Sequence, residues 1–84
     1  MSDTSISDHI EALVAEEKTL EGRETQDAVD PDKLAADRDR LAAIKVELDQ
    51  LWDLLRQRRG LREAGRNPED AQERGAGTVE GYIQ

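Results

Sequence analysis

The side chains that could carry chemistry in this sequence are one histidine, many carboxylates and a run of arginines. His9 stands beside Asp8 and two residues before Glu11. A metal site on a helix needs ligands on one face, commonly at i and i+4. The positions four away from His9 are Ser5 and Leu13, so the spacing fails and His9 is expected on the surface or beside a helix seam. The absence of cysteine removes a thiolate nucleophile, a disulfide framework and cysteine zinc sites. Carboxylates such as Glu16-Glu17, or Asp27, Asp30 and Asp32, could act as an acid–base pair only in a cleft that raises one pKa. No catalytic, metal-binding or cofactor-binding residue is expected, and the protein reads as a non-enzyme.

The arginines are the more informative group. Arg56, Arg58, Arg59, Arg62 and Arg66 cluster against Glu63 alone, just beyond the single tryptophan, Trp52. Overall there are 20 acids against 12 Lys and Arg, a net charge of −8. Residues 1–37 hold eleven acids and three bases, so the remainder is neutral. An acidic average opposes long-range attraction to nucleic acid or anionic membrane. Two readings of the arginine cluster stay open. The charges satisfy one another, nearby acids and the negative helix ends, or they form a patch for nucleic-acid phosphate or an acidic protein surface. Trp52 and Tyr82 join the arginines as candidate partner contacts.

These residues need elements to position them. Ile6, Ile10, Leu13, Val14 and Leu20 recur at amphipathic-helix spacing, with Glu17 interrupting, which predicts a helix over about 5–22. Ser5 followed by Asp8 resembles a capping box at its start. Residues 23–29 carry no apolar period and read as a turn or loop. Asp30-Pro31-Asp32 then marks a helix start: an N-cap acceptor, a proline at the first helical position and an acid at the positive end of the dipole. From there Leu34, Leu41, Leu48 and Leu55 repeat every seven residues, and Ile44 and Leu51 fill the alternate positions. Asp37 and Arg58 break this seam at its two ends. A second helix over about 31–64 follows, giving a helical domain over 1–66. Asn67-Pro68-Glu69-Asp70 resets the backbone, and 67–84 reads as an irregular tail that could fold back through Val79, Tyr82 and Ile83.

Two helices joined by a short polar loop lie antiparallel as a coiled-coil-like hairpin. The fold class is all-α. With Leu20 facing Leu34, Ile6 meets Leu48, and Leu51, Trp52, Leu54, Leu55 and Leu61 project beyond the first helix. A second copy or the tail would have to cover them, because a soluble chain does not leave a contiguous apolar patch bare. Small helical scaffolds of this size commonly depend on oligomerisation. The expected assembly is a homodimer forming a four-helix bundle, with Ile6, Ile10, Leu13, Leu20, Leu34, Leu41, Ile44, Leu48, Leu51, Trp52 and Leu55 as its seam. The start Met1-Ser2-Asp3-Thr4-Ser5 has neither the basic nor the apolar region of a secretory signal. No apolar run approaches the roughly 20 residues that span a bilayer. A cytoplasmic, non-membrane protein is expected.

Two segments, Ser5 to Glu17 and Leu48-Asp49-Gln50-Leu51-Trp52-Asp53-Leu54-Leu55-Arg56-Gln57-Arg58-Arg59, together resemble a family of small actinobacterial proteins catalogued as a domain of unknown function. Val79-Glu80-Gly81-Tyr82 resembles that family's ending. The resemblance implies that Trp52–Arg59 and the tail belong to the folded unit, and it carries no activity. The functional expectation is a self-associating helical interaction protein. The alternative is an accessory factor that binds nucleic acid or the transcription or translation machinery through the arginine cluster.

Overall fold

The computed structural model describes residues 2–27 and 29–73, and the side chains of all of these except residues 25 and 27. The chain forms a helical hairpin, α1 (Asp3–Asp27) and α2 (Pro31–Glu63), followed by a single 3-10 turn at Pro68–Asp70. The antiparallel sense follows from the cross-hairpin pairs. Asp3, at the start of α1, bonds Arg58 and Arg62 near the end of α2. Arg23, near the end of α1, bonds Asp37 near the start of α2.

The start of α2 is as expected. Asp30 is extended, its carboxylate accepts from the Lys33 amide at 3.2 Å, and Pro31 opens the helix. The far end closes by a Schellman motif: the Arg66 amide donates to the Leu61 carbonyl and the Gly65 amide to that of Arg62. Gly65 supplies the required positive φ of 72°, which costs a residue bearing a Cβ roughly 1–2 kcal/mol.

Helix α1 departs from expectation at both ends. It begins at Asp3 rather than near Ser5, because Ser2 is the capping residue: its hydroxyl accepts from the Ser5 amide at 3.0 Å. It runs through Gly22 to Asp27, so most of the predicted 23–29 loop is helix. The extra turn faces the first turns of α2, where Arg23 meets Asp37 at 2.8 Å and Glu24 meets Arg38 at 3.8 Å. Tertiary partners thereby outweigh the glycine's low helix propensity.

The core is a single aliphatic seam. Ile6, Ile10, Leu13 and Leu20 of α1 are buried with Ile44, Leu48, Leu51 and Leu54 of α2, and Val14, Leu41, Leu55 and Ala71 pack against them. Leu34 is only half-buried. The expectation that Leu51 and Leu54 lack an intramolecular partner is corrected: they are 2% and 6% exposed. The expected register, with Leu20 facing Leu34 and Ile6 meeting Leu48, is corrected as well. Helix α1 runs on to Asp27 and moves the turn along the chain. The pairs Asp3–Arg58, His9–Glu47 and Arg23–Asp37 therefore set each residue of α1 against a later part of α2, and residues 67–73 fold back. Of the tail, Val79, Tyr82 and Ile83 lie outside the described residues.

Candidate interaction site

Two buried charges sit where the apolar seam stops. Asp37 accepts from the Arg23 guanidinium at 2.8 Å at the turn end. At the open end Arg58, 7% exposed, donates to Asp3 of α1, to the Pro68 carbonyl at 3.3 Å and to Glu69 at 3.2 Å. One guanidinium therefore ties α1, α2 and the 3-10 turn together. Its planar fork of donors suits such a junction. Arg62 adds a 2.8 Å bond to the second oxygen of Asp3. The Arg58 hydrogen bond, reinforced by Arg62, holds the Asp3 carboxyl below the usual carboxylate range against the opposing effect of burial.

The returning segment is fixed by a second set of bonds. Asn67 caps the 3-10 turn by accepting from the Glu69 amide at 3.0 Å. Gln57 donates to the Gln72 carbonyl at 2.7 Å and accepts from the Gln72 amide at 3.3 Å. The same Gln57 amide reaches the buried Asp53 carboxylate at 2.9 Å. Residues 67–73 thus cover the side of α2 that carries Asp53, Leu54 and Gln57.

With α1 on one side and this segment on another, one strip of the α2 end is left uncovered among the described residues. Trp52 lies on it at 48% exposure, so within the chain it is a surface residue rather than part of the aliphatic seam. A shallow groove of about 140 Å³ runs beside it, lined by Trp52, Leu55, Arg56 and Arg59. That is well below the ~300–1,000 Å³ typical of small-molecule pockets. Tryptophan and arginine are residue types enriched at protein-interface hot spots.

The five clustered arginines therefore separate. Arg58 and Arg62 bind Asp3, and Arg56 faces Asp53 at 3.7 Å. Arg59 and Arg66 are exposed. Tyr82 is outside the described residues. His9 faces Glu47 across the hairpin at 3.1 Å, the seam-flanking place expected of it. Glu16 binds Arg40 through both oxygens at 2.6 and 2.9 Å, and that hydrogen bond holds the Glu16 carboxyl low. Among the described residues no group of three or more His, Asp or Glu is arranged to hold a metal ion, and no helix is long and apolar enough to cross a membrane.

The signal missed in the sequence is the complementarity of the seam's interruptions. An acid and a base stand at the α2 seam ends, and a base and an acid stand at the matching ends of α1.

A family model described as a protein of unknown function, DUF2630, matches residues 2–84. Uncharacterized proteins of Mycobacterium tuberculosis and Mycobacterium bovis are 43% identical over 81 residues, covering 96% of this chain and 90% of each relative. No solved structure matches. The resemblance noted from Ser5–Glu17 and the Trp52 segment thus extends along the whole hairpin, and the chain belongs to the DUF2630 family.

Proposed function

We propose that this protein is a non-enzymatic interaction module, acting in the cytoplasm as a self-associated helical hairpin whose working surface is the Trp52 strip. One observation carries this reading. The only tryptophan stays 48% exposed on the side of α2 that neither α1 nor residues 67–73 cover. Every other aromatic or long aliphatic side chain described in α1 and α2 is buried or half-buried. Removing an indole from water is among the larger gains a single side chain offers an interface. The small size of the hairpin adds to the demand for a partner. The buried ionisable groups Asp37, Asp53 and Arg58 bond to groups of the same chain, which suits a structural use of charge.

Sedimentation equilibrium of the full chain, with circular dichroism as a check on folding, tests the proposal. The expected result is a reversible dimer at micromolar concentration. Trp52→Ala should weaken it by roughly 30-fold, the factor that corresponds to a ~2 kcal/mol hot spot, with helicity retained. A folded wild-type monomer throughout that range would refute self-association.

A further inference from the structure

We infer that the dimer is an antiparallel, two-fold pairing of α2 with α2 of a second copy, centred between Lys45 and Asp49. This rests on the self-association reading and specifies its surface. The open strip of α2 continues along the helix at 3-4 spacing as Ala35, Arg38, Ala42, Lys45, Asp49, Trp52, Arg56 and Arg59. These residues share one face, and all are exposed except the half-buried Asp49. Leu41 and Leu55, only partly covered by the intramolecular core, flank it.

A two-fold interface must complement itself, so that residue i meets j and j meets i. Antiparallel pairing about the point between Lys45 and Asp49 meets that demand twice over. Lys45 falls opposite Asp49 of the second copy, and Trp52 opposite Ala42 of the second copy. The largest side chain thus lies over one of the smallest, and opposite charges face each other. Arg59 comes opposite Ala35 of the second copy, close to the acidic turn that holds Asp32 and Asp30. Parallel pairing would instead set Lys45 on Lys45, Asp49 on Asp49 and Trp52 on Trp52.

The distribution of charge along the hairpin favours the same choice. Residues 21–37, around the turn, carry six acids and two bases, whereas residues 52–66 of the open end carry two acids and five bases. Antiparallel hairpins bring the basic end of one copy to the acidic turn of the other. The one like-charged pair created, Arg56 with Arg38 of the second copy, joins guanidinium groups that each already face an acid of their own chain, Asp53 and Glu24.

The chain has no cysteine, so introduced thiols report on this arrangement cleanly. Ala35→Cys and Arg59→Cys variants, oxidised separately and as a mixture, should form the disulfide only in the mixture. Positions 35 and 59 lie roughly 36 Å apart along a helix, so neither variant should link to itself. As a second measurement, Lys45→Glu or Asp49→Lys alone should weaken the dimer at least tenfold. The two together should restore it to within a few-fold, with unchanged circular dichroism. Self-linking of either cysteine variant would overturn the antiparallel geometry. A dimer that neither links in the mixture nor responds to the charge changes would overturn this surface while leaving self-association intact. A wild-type monomer would remove both.

Discussion

Arg58 shows how one residue can hold the open end of a two-helix protein. Its guanidinium bonds α1 through Asp3 and the returning segment through Pro68 and Glu69. The carboxyl of Asp3 is held low chiefly by Arg58, and that of Glu16 by Arg40. A carboxyl whose folded pKa lies below its unfolded value of about 4 stabilises the fold above that pH. That contribution is lost as pH falls through the depressed folded value. Thermal melts followed by circular dichroism should therefore show a midpoint that is flat from pH 7 to about 5 and declines below pH ~4. Asp3→Asn should lower the midpoint at neutral pH and flatten part of the acid decline. An unchanged acid limb in Asp3→Asn would show that the clamp contributes nothing. Because Asp3 and Glu16 are partly solvated, added salt should shrink both effects. These pairs were half-legible in the sequence. Asp37 and Arg58 stood out as breaks in an apolar seam, yet their partners Arg23 and Asp3 lie beyond the periodic part of α1, where no apolar repeat marks the face they occupy.

At the level of elements, strong local signals hold in the fold and weak ones are overridden by tertiary contacts. Asp30-Pro31 fixes the start of α2 because cap, proline and dipole agree. Gly22 suggested a stop for α1, but the helix passes through it because Arg23 and Glu24 find partners on α2. A glycine inside a helix without a packing reason is a removable weakness. A methyl group at Gly22 or Gly60 would meet nothing within 4 Å, and both have ordinary helical backbone. Gly22→Ala and Gly60→Ala should therefore each raise stability by about 0.5–1 kcal/mol in urea denaturation. Gly65 also has open space around it, but its positive φ ends α2. Gly65→Ala should lower stability by about 1 kcal/mol despite the absence of any clash. Opposite signs at Gly60 inside α2 and Gly65 just past its end separate backbone conformation from packing. Gains at all three positions would contradict the Schellman ending.

For the whole molecule, the hairpin was legible because seven-residue spacing in α2 specifies one apolar face. The coverage of its open end was not, since it depends on polar residues such as Gln57 and Asn67 that carry no periodicity. That coverage bears on how many arginines of the cluster are left to meet phosphate. Five guanidinium groups engaging phosphates would give a salt slope near −4.5, a loss of roughly 500-fold in duplex affinity between 50 and 200 mM salt. With Arg58 and Arg62 bound to Asp3, only Arg56, Arg59 and Arg66 remain to act. Three such contacts correspond to a loss of only about 40-fold over the same range. The long-range field works against even these, because the chain carries a net −8 and α1 holds eight acids against two bases. Passage over immobilised heparin at about 0.15 M salt should therefore give no retention. Any binding to duplex DNA or RNA measured at lower salt should follow a slope no steeper than about −3. A slope near that for five contacts would mean that Asp3 releases both arginines to a nucleic acid. The open end would then be a phosphate-triggered clamp, and the Trp52 strip would no longer be the working surface.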